Sequence, residues 1–121
     1  MMAEYAEALK RNGIDYDGAM ERFGGNAELY ERLALKFLDD AHFAALEQAL
    51  AGGDVDTAVR EAHTLKGVAG NLSFAALYEA ASKVNAALRE GDLAGATALM
   101  DSVRSAHAAV VSALSSLRDA R

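Results

Sequence analysis

No proline occurs anywhere in this chain, and that absence constrains the fold more than any other feature of the sequence. Glycine is left as the main breaker of regular structure. Gly13, Gly24–Gly25, Gly52–Gly53 and Gly91 separate stretches whose apolar residues recur at three- and four-residue intervals, the period of helices. No stretch alternates apolar with polar residues as a half-buried strand does. Hydrophobic residues make up 52% of the chain and many are alanines, with only 7% aromatic. Such chains suit closely packed helices better than sheets. The expectation is an all-α protein.

The helical stretches can be placed one by one. A short first helix is expected over about Ala3 to Arg11, and a brief second one over Tyr16 to Arg22. Asn26 is positioned to cap a helix running through ELYERLALKFLDD. The paired aspartates imply a bend or break near Asp39–Ala41, before HFAALEQAL continues to about Ala51. Asp54 is a good N-cap for the next helix, whose apolar positions Val55, Ala58, Ala62, Leu65, Ala69 and Leu72 form one buried stripe. A further helix is expected from near Ser73 to about Glu90, burying Leu77, Ala80, Val84 and Leu88. The last begins after Asp92 and carries Leu99, Val103, Val110, Leu114 and Leu117; the terminal SSLRDAR is expected to fray. Short connections favour antiparallel neighbours, so the architecture is an up-down four-helix bundle with short additional N-terminal helices.

At 121 residues the chain suits one domain, 1–121, with a real core. It has no cysteine, hence no disulfide framework and no thiolate metal site. The N-terminal MMAEYAEALK lacks a basic start followed by an apolar stretch, so no secretory signal is expected. No apolar run approaches the roughly 18 residues of a membrane span. The formal net charge is −6 and no basic stripe is visible, which argues against nucleic acid as a partner. The default reading is a cytoplasmic protein without membrane attachment, with a monomer the simplest assembly.

One segment does not fit a purely structural role. Residues 61–73 read EAHTLKGVAGNLS and place Gly67 and Gly70 in the body of a helix, each costing about 1 kcal/mol relative to alanine. On a helical wheel, with His63 as origin, Lys66 lies at about −60°, Gly67 at +40° and Gly70 at −20°. Upstream, Val59 lies at about −40° and Arg60 at +60°. Both glycines therefore follow His63 along its own stripe, roughly 100° away from the core stripe. An imidazole, neutral for the most part at pH 7, can attack phosphorus as a nucleophile. The anionic product would benefit from the ammonium of Lys66 one turn on. Bare backbone at Gly67 and Gly70 would open space for a phosphoryl group and a partner, with Thr64 and Asn71 available for hydrogen bonds at the edges.

The run His63-Thr-Leu-Lys66-Gly67-Val-Ala-Gly70-Asn71-Leu72 closely resembles the motif of histidine-containing phosphotransfer domains. The segment GGNAELYERLALKFLDD, the GGD turn before the motif helix and the later REGD turn fit the same layout, so the resemblance covers about residues 14–117. It implies a four-helix bundle that relays phosphoryl groups in two-component phosphorelays. His63 would be the phosphoacceptor, Lys66 the electrostatic helper, and Gly67 and Gly70 the space-makers. The implied partners are response-regulator receiver domains, a sensor histidine kinase, or both. The chain itself would need no cofactor, because Mg2+ is expected on the partner receiver domain. Counting back from a turn near residues 72 and 73 places His63 opposite about Ser82, with Glu79 and Lys83 beside it. Arg60, Lys66 and Lys83 would then make a basic patch suited to a receiver's acidic pocket.

Gly70 could begin a helix C-cap with Asn71, which leaves Gly67 unexplained. His107 shares the spacing of Met100, Val103, Val110 and Leu114, and is expected to be partly buried and hydrogen-bonded; His42 is likewise assigned to structure. No glutamate stands three residues before any histidine, so a di-iron type metal site is not expected, and no phosphate-cradling loop suggests a self-contained enzyme. A non-catalytic helical adaptor binding receiver or kinase domains is the alternative from another class. The phosphoacceptor domain of a chemotaxis-type kinase is a third.

Overall fold

The computed structural model describes residues 2–120. A 3-10 turn, Met2–Tyr5, leads into α1 (Ala6–Arg11), followed by α2 (Tyr16–Arg22), α3 (Ala27–Lys36) and a second 3-10 turn, Phe37–Asp39. Four longer or central helices follow: α4 (His42–Ala51), α5 (Val55–Asn71), α6 (Ala75–Arg89) and α7 (Leu93–Asp119). No strand occurs among the described residues. The fold is an all-α helical bundle.

Local chemistry sets most of these boundaries. The side chains of Asp15, Asn26, Asp54 and Asp92 accept backbone N–H bonds from Gly18, Leu29, Thr57 and Gly95 at 3.0, 3.0, 3.2 and 2.8 Å. Each such N-cap contributes about 1 kcal/mol. Between α3 and α4 the chain breaks rather than bends. Asp40 is extended, with ψ 131°, and its carboxylate accepts the His42 N–H at 2.9 Å. At the other end α7 stays helical to Asp119 and buries Leu117, so the expected fraying does not begin at Ser115. Arg121 lies outside the described residues.

α5 packs on α4 and α6, α6 on α5 and α7, and α7 returns past α1, α3 and α4 to close the bundle. The α5 stripe of Ala58, Ala62, Leu65 and Ala69 is fully buried. Leu77, Val84 and Leu88 from α6 meet Val103, Val110, Leu114 and Leu117 from α7 in the same core. Tyr30 and Phe37 add aromatic volume from the N-terminal half, Phe37 meeting Phe74 edge-on with centroids 5.1 Å apart. Two expected core residues sit elsewhere. Val55, the first residue of α5 beside the Gly52–Gly53 turn, is exposed, and Leu99 is only half-buried.

The turn from α5 to α6 is the part of the fold that positions the site. Helix α5 runs straight through Gly70 to Asn71 and ends in a Schellman arrangement. Phe74 N–H bonds the Ala69 carbonyl at 2.9 Å and Ser73 N–H bonds that of Gly70 at 3.3 Å. The left-handed residue of this motif is Ser73, with φ 58°, so the alternative of a cap built on Gly70 and Asn71 is not what ends the helix. A serine held there costs about 1 kcal/mol. The N-terminal segment clamps the turn from outside. Asp15 N–H donates to the Ser73 carbonyl at 2.8 Å and Ala76 N–H to that of Gly13 at 3.2 Å. The buried Tyr30 hydroxyl donates to the Leu72 carbonyl at 2.6 Å. Gly13 has φ 81°, and a Cβ there would lie 2.6 Å from the Ala76 Cβ.

Candidate functional site

Helix α5 carries His63 on the side turned away from the buried Ala62 and Leu65, and the imidazole is exposed. It makes no hydrogen bond or ion pair with any described residue. A ring nitrogen with an unengaged lone pair is what nucleophilic attack requires.

His63 lies in an open cleft of about 990 Å³ between α5 and α6. Lys66, Gly67, Gly70 and Asn71 of α5 line it, opposite Tyr78, Glu79, Ser82 and Lys83 of α6. The antiparallel register expected from the turn therefore brings Ser82 and its neighbours to the same cleft as His63. Two further residues come from the N-terminal segment: Asp15, which caps α2, and Arg22 in its last turn.

The two glycines do different things. A Cβ at Gly67 would meet nothing within 4 Å, so no packing contact offsets its helix cost of about 1 kcal/mol. The strip of backbone beside His63 is open there. At Gly70 a Cβ would stand 3.1 Å from both Cδ1 and Cε1 of Tyr78. The space at Gly70 is taken by a side chain of this protein, which corrects the expectation that both positions lie bare. Tyr78 remains 42% exposed and itself lines the cleft.

Val59, Arg60 and Thr64 do not line the cleft. Arg60 and Thr64 lie at about +60° and +100° from His63, towards the α4 side, where Glu61 pairs with His42 at 2.6 Å. The cleft opens on the opposite, α6 side. The Thr64 hydroxyl donates to the Arg60 carbonyl at 3.0 Å, and the Arg60 guanidinium donates to the Thr57 hydroxyl at 3.4 Å. Val59 is half-buried against the core, and its carbonyl accepts from Asn85 at 3.4 Å. Because helical side chains lean towards the N-terminus, residues upstream of His63 cover surface still further upstream.

The cations that line the cleft overlap the expected set only in part. Lys66, Lys83 and Arg22 line the cleft and Arg60 does not. Lys83 is 3.6 Å from Glu79 across one turn of α6, whereas Lys66 and Arg22 form no ion pair among the described residues. Tyr78 could have been found by extending the antiparallel count one turn towards the α5–α6 connection. Nothing local in the sequence signals Asp15 or Arg22.

The other histidines have structural surroundings. His42 opens α4 and ties it to α5 through Glu61. His107 stacks on Phe43 with centroids 4.2 Å apart and planes at 15°, and tilts against Phe37 at 5.6 Å. The expected hydrogen bond is thus replaced by aromatic contact. Burial holds the His107 pKa below its ordinary value, against a weaker upward pull from Asp40 and Glu47.

Fold and site together define a class: helical bundles that offer one solvent-facing histidine from the middle of a helix. The family model for the Hpt domain matches residues 33–120, and the chain belongs to that family. No curated protein and no solved structure matches it. Membership implies histidine phosphotransfer in two-component signalling, where Hpt domains interact with receiver domains and histidine kinases. Among the described residues, no helix is long and apolar enough to cross a membrane.

Proposed function

We propose that the chain is a phosphocarrier that relays phosphoryl groups between His63 and the aspartates of receiver domains, as a monomeric single domain in the cytoplasm. The observation that carries this reading is the pairing of an exposed, unengaged imidazole with open backbone at Gly67 one turn on. A helix with no catalytic task at this position would gain stability from alanine there.

In the proposed step the imidazole lone pair attacks phosphorus in line with the acyl-phosphate bond of the receiver. The N–P bond forms as the P–O bond breaks, and that electron pair returns to the aspartate carboxylate. The remaining ring nitrogen keeps its proton or releases it to water. Lys66 sets an ammonium beside the new phosphoryl oxygens, and Gly67 leaves room for them. A Mg2+ ion on the receiver would supply further charge stabilisation. This chain therefore contributes nucleophile, positioning and one cation.

The test is incubation with a panel of phosphorylated receiver domains, followed by assay for acid-labile, base-stable phosphate. Label is expected on the native chain and absent from His63→Gln. A chain that binds receivers without acquiring label would be an adaptor. Label persisting in His63→Gln would place the acceptor elsewhere.

A further inference from the structure

Arg22 reaches the His63 cleft from α2, a helix outside the residues matched by the family model. The contacts that hold it there are specific. Gly13 and Asp15 bond directly to the α5–α6 turn through Ala76 N–H and the Ser73 carbonyl, at 3.2 and 2.8 Å. Tyr30, beyond α2, fixes the same turn through Leu72 at 2.6 Å. α2 lies between these anchors, and its N-terminus is capped by Asp15 itself.

Of the three cations that line the cleft, Lys83 already has a partner, Glu79 at 3.6 Å, as do Lys10 with Asp17 at 2.9 Å and Arg104 with Glu47 at 2.7 Å elsewhere on the surface. Arg22 is exposed and forms no ion pair among the described residues. A planar guanidinium at the rim of a cleft is suited to a carboxylate arriving on another surface. The chain carries a net charge of −6, and Asp15 and Glu79 line the same cleft. An acidic partner therefore needs uncommitted positive charge at the point of contact.

Resting on the phosphocarrier reading, we propose that Arg22 is a docking and selectivity residue, receiving a surface carboxylate of the incoming receiver domain while Lys66 attends the phosphoryl group. The N-terminal segment is then a wall of the docking cleft, contributing affinity and choice of partner that α5 and α6 alone do not supply. Tyr78 supplies the aromatic part of the same contact surface.

The test uses the full chain and whichever phosphorylated receiver in the panel transfers to it fastest. Arg22→Ala should raise the KM for that receiver about fivefold and Arg22→Glu more than tenfold, as expected for loss or reversal of a rim charge. The saturated rate should change much less, and Arg22→Lys should recover part of the affinity. The KM of the native chain should rise with salt more steeply than that of Arg22→Ala. The phosphohistidine lifetime after removal of the receiver should match the native chain in Arg22→Ala and fall in Lys66→Ala. An unchanged KM in Arg22→Glu would overturn the docking role. A shortened lifetime in Arg22→Ala would move the guanidinium onto the phosphoryl group and overturn it equally. Phosphoramidate, a small donor with no docking surface, tests the underlying reading separately: failure to label His63 would count against the phosphocarrier itself.

Discussion

Gly70 and Tyr78 meet across the α5–α6 boundary so closely that a methyl group on the glycine would stand 3.1 Å from two ring carbons. The ring lies over the helix backbone and forms part of the cleft wall. Gly70→Ala sets a helix-propensity gain of about 1 kcal/mol against displacement of that ring. Because Tyr78 is 42% exposed, the ring has room to move. The two terms should nearly cancel, leaving stability within about 0.5 kcal/mol of the native chain in urea titration. Transfer from a receiver should slow, because the displaced ring alters the docking surface.

Gly67 behaves differently because nothing lies within 4 Å of its absent Cβ. Gly67→Ala should raise the unfolding free energy by about 0.5–1 kcal/mol. Gly67→Leu should slow phosphotransfer roughly tenfold or more by obstructing close approach, without loss of helical circular dichroism. A normal rate in the leucine variant would remove the case for a cleared face.

Lys66 forms no ion pair among the described residues. Lys66→Ala should therefore lower transfer or phosphohistidine lifetime about fivefold, corresponding to about 1 kcal/mol for a solvent-screened charge, while leaving the thermal midpoint close to that of the native chain. Phosphohistidine decay followed by radiolabel is the measurement.

The Tyr30 hydroxyl is buried, its ionisation pushed up by that burial, and it donates to the Leu72 carbonyl at 2.6 Å. Tyr30→Phe should cost about 1–2 kcal/mol in denaturant unfolding. Hydrogen exchange should accelerate around the Leu72–Phe74 turn before it does so in the middle of α7.

His107 gives the fold a pH dependence of definite sign. Its folded-state pKa lies below the ordinary 6.5, chiefly through burial, so the unfolded chain binds the proton more tightly. The neutral ring's contribution is fully present above pH 6.5 and is lost as pH falls towards the depressed value. Urea midpoints taken from about pH 7.5 down to about pH 5.5 should fall further for the native chain than for His107→Phe. The His42–Glu61 pair is common to both proteins and cancels in the comparison.

Much of the fold was legible in the sequence because it depends on short-range relations. Asn26, Asp54 and Asp92 cap the helices they precede, and the spacing of Ala58, Ala62, Leu65 and Ala69 marks the face that is buried. Val55 is exposed although it lies on the apolar stripe, because a stripe gives a direction without saying where along the helix its cover ends. The alternative of a Gly70–Asn71 cap fails because, although a left-handed residue is usually glycine or asparagine, the tertiary bond from Asp15 N–H to its carbonyl at 2.8 Å helps hold Ser73 in that conformation.

By itself the sequence determined that the chain is helical, where most helices begin, and that His63 points away from the core. All three follow from residues three or four apart on one helix, whose geometry is the same in any fold. Only the tertiary structure decided what shares the cleft with that imidazole. It placed Tyr78 against Gly70, left Arg60 outside the cleft and brought in Arg22. Those placements depend on which distant backbone groups bond to one another, as Gly13 and Asp15 do with the α5–α6 turn, and helical periodicity carries no record of such pairings.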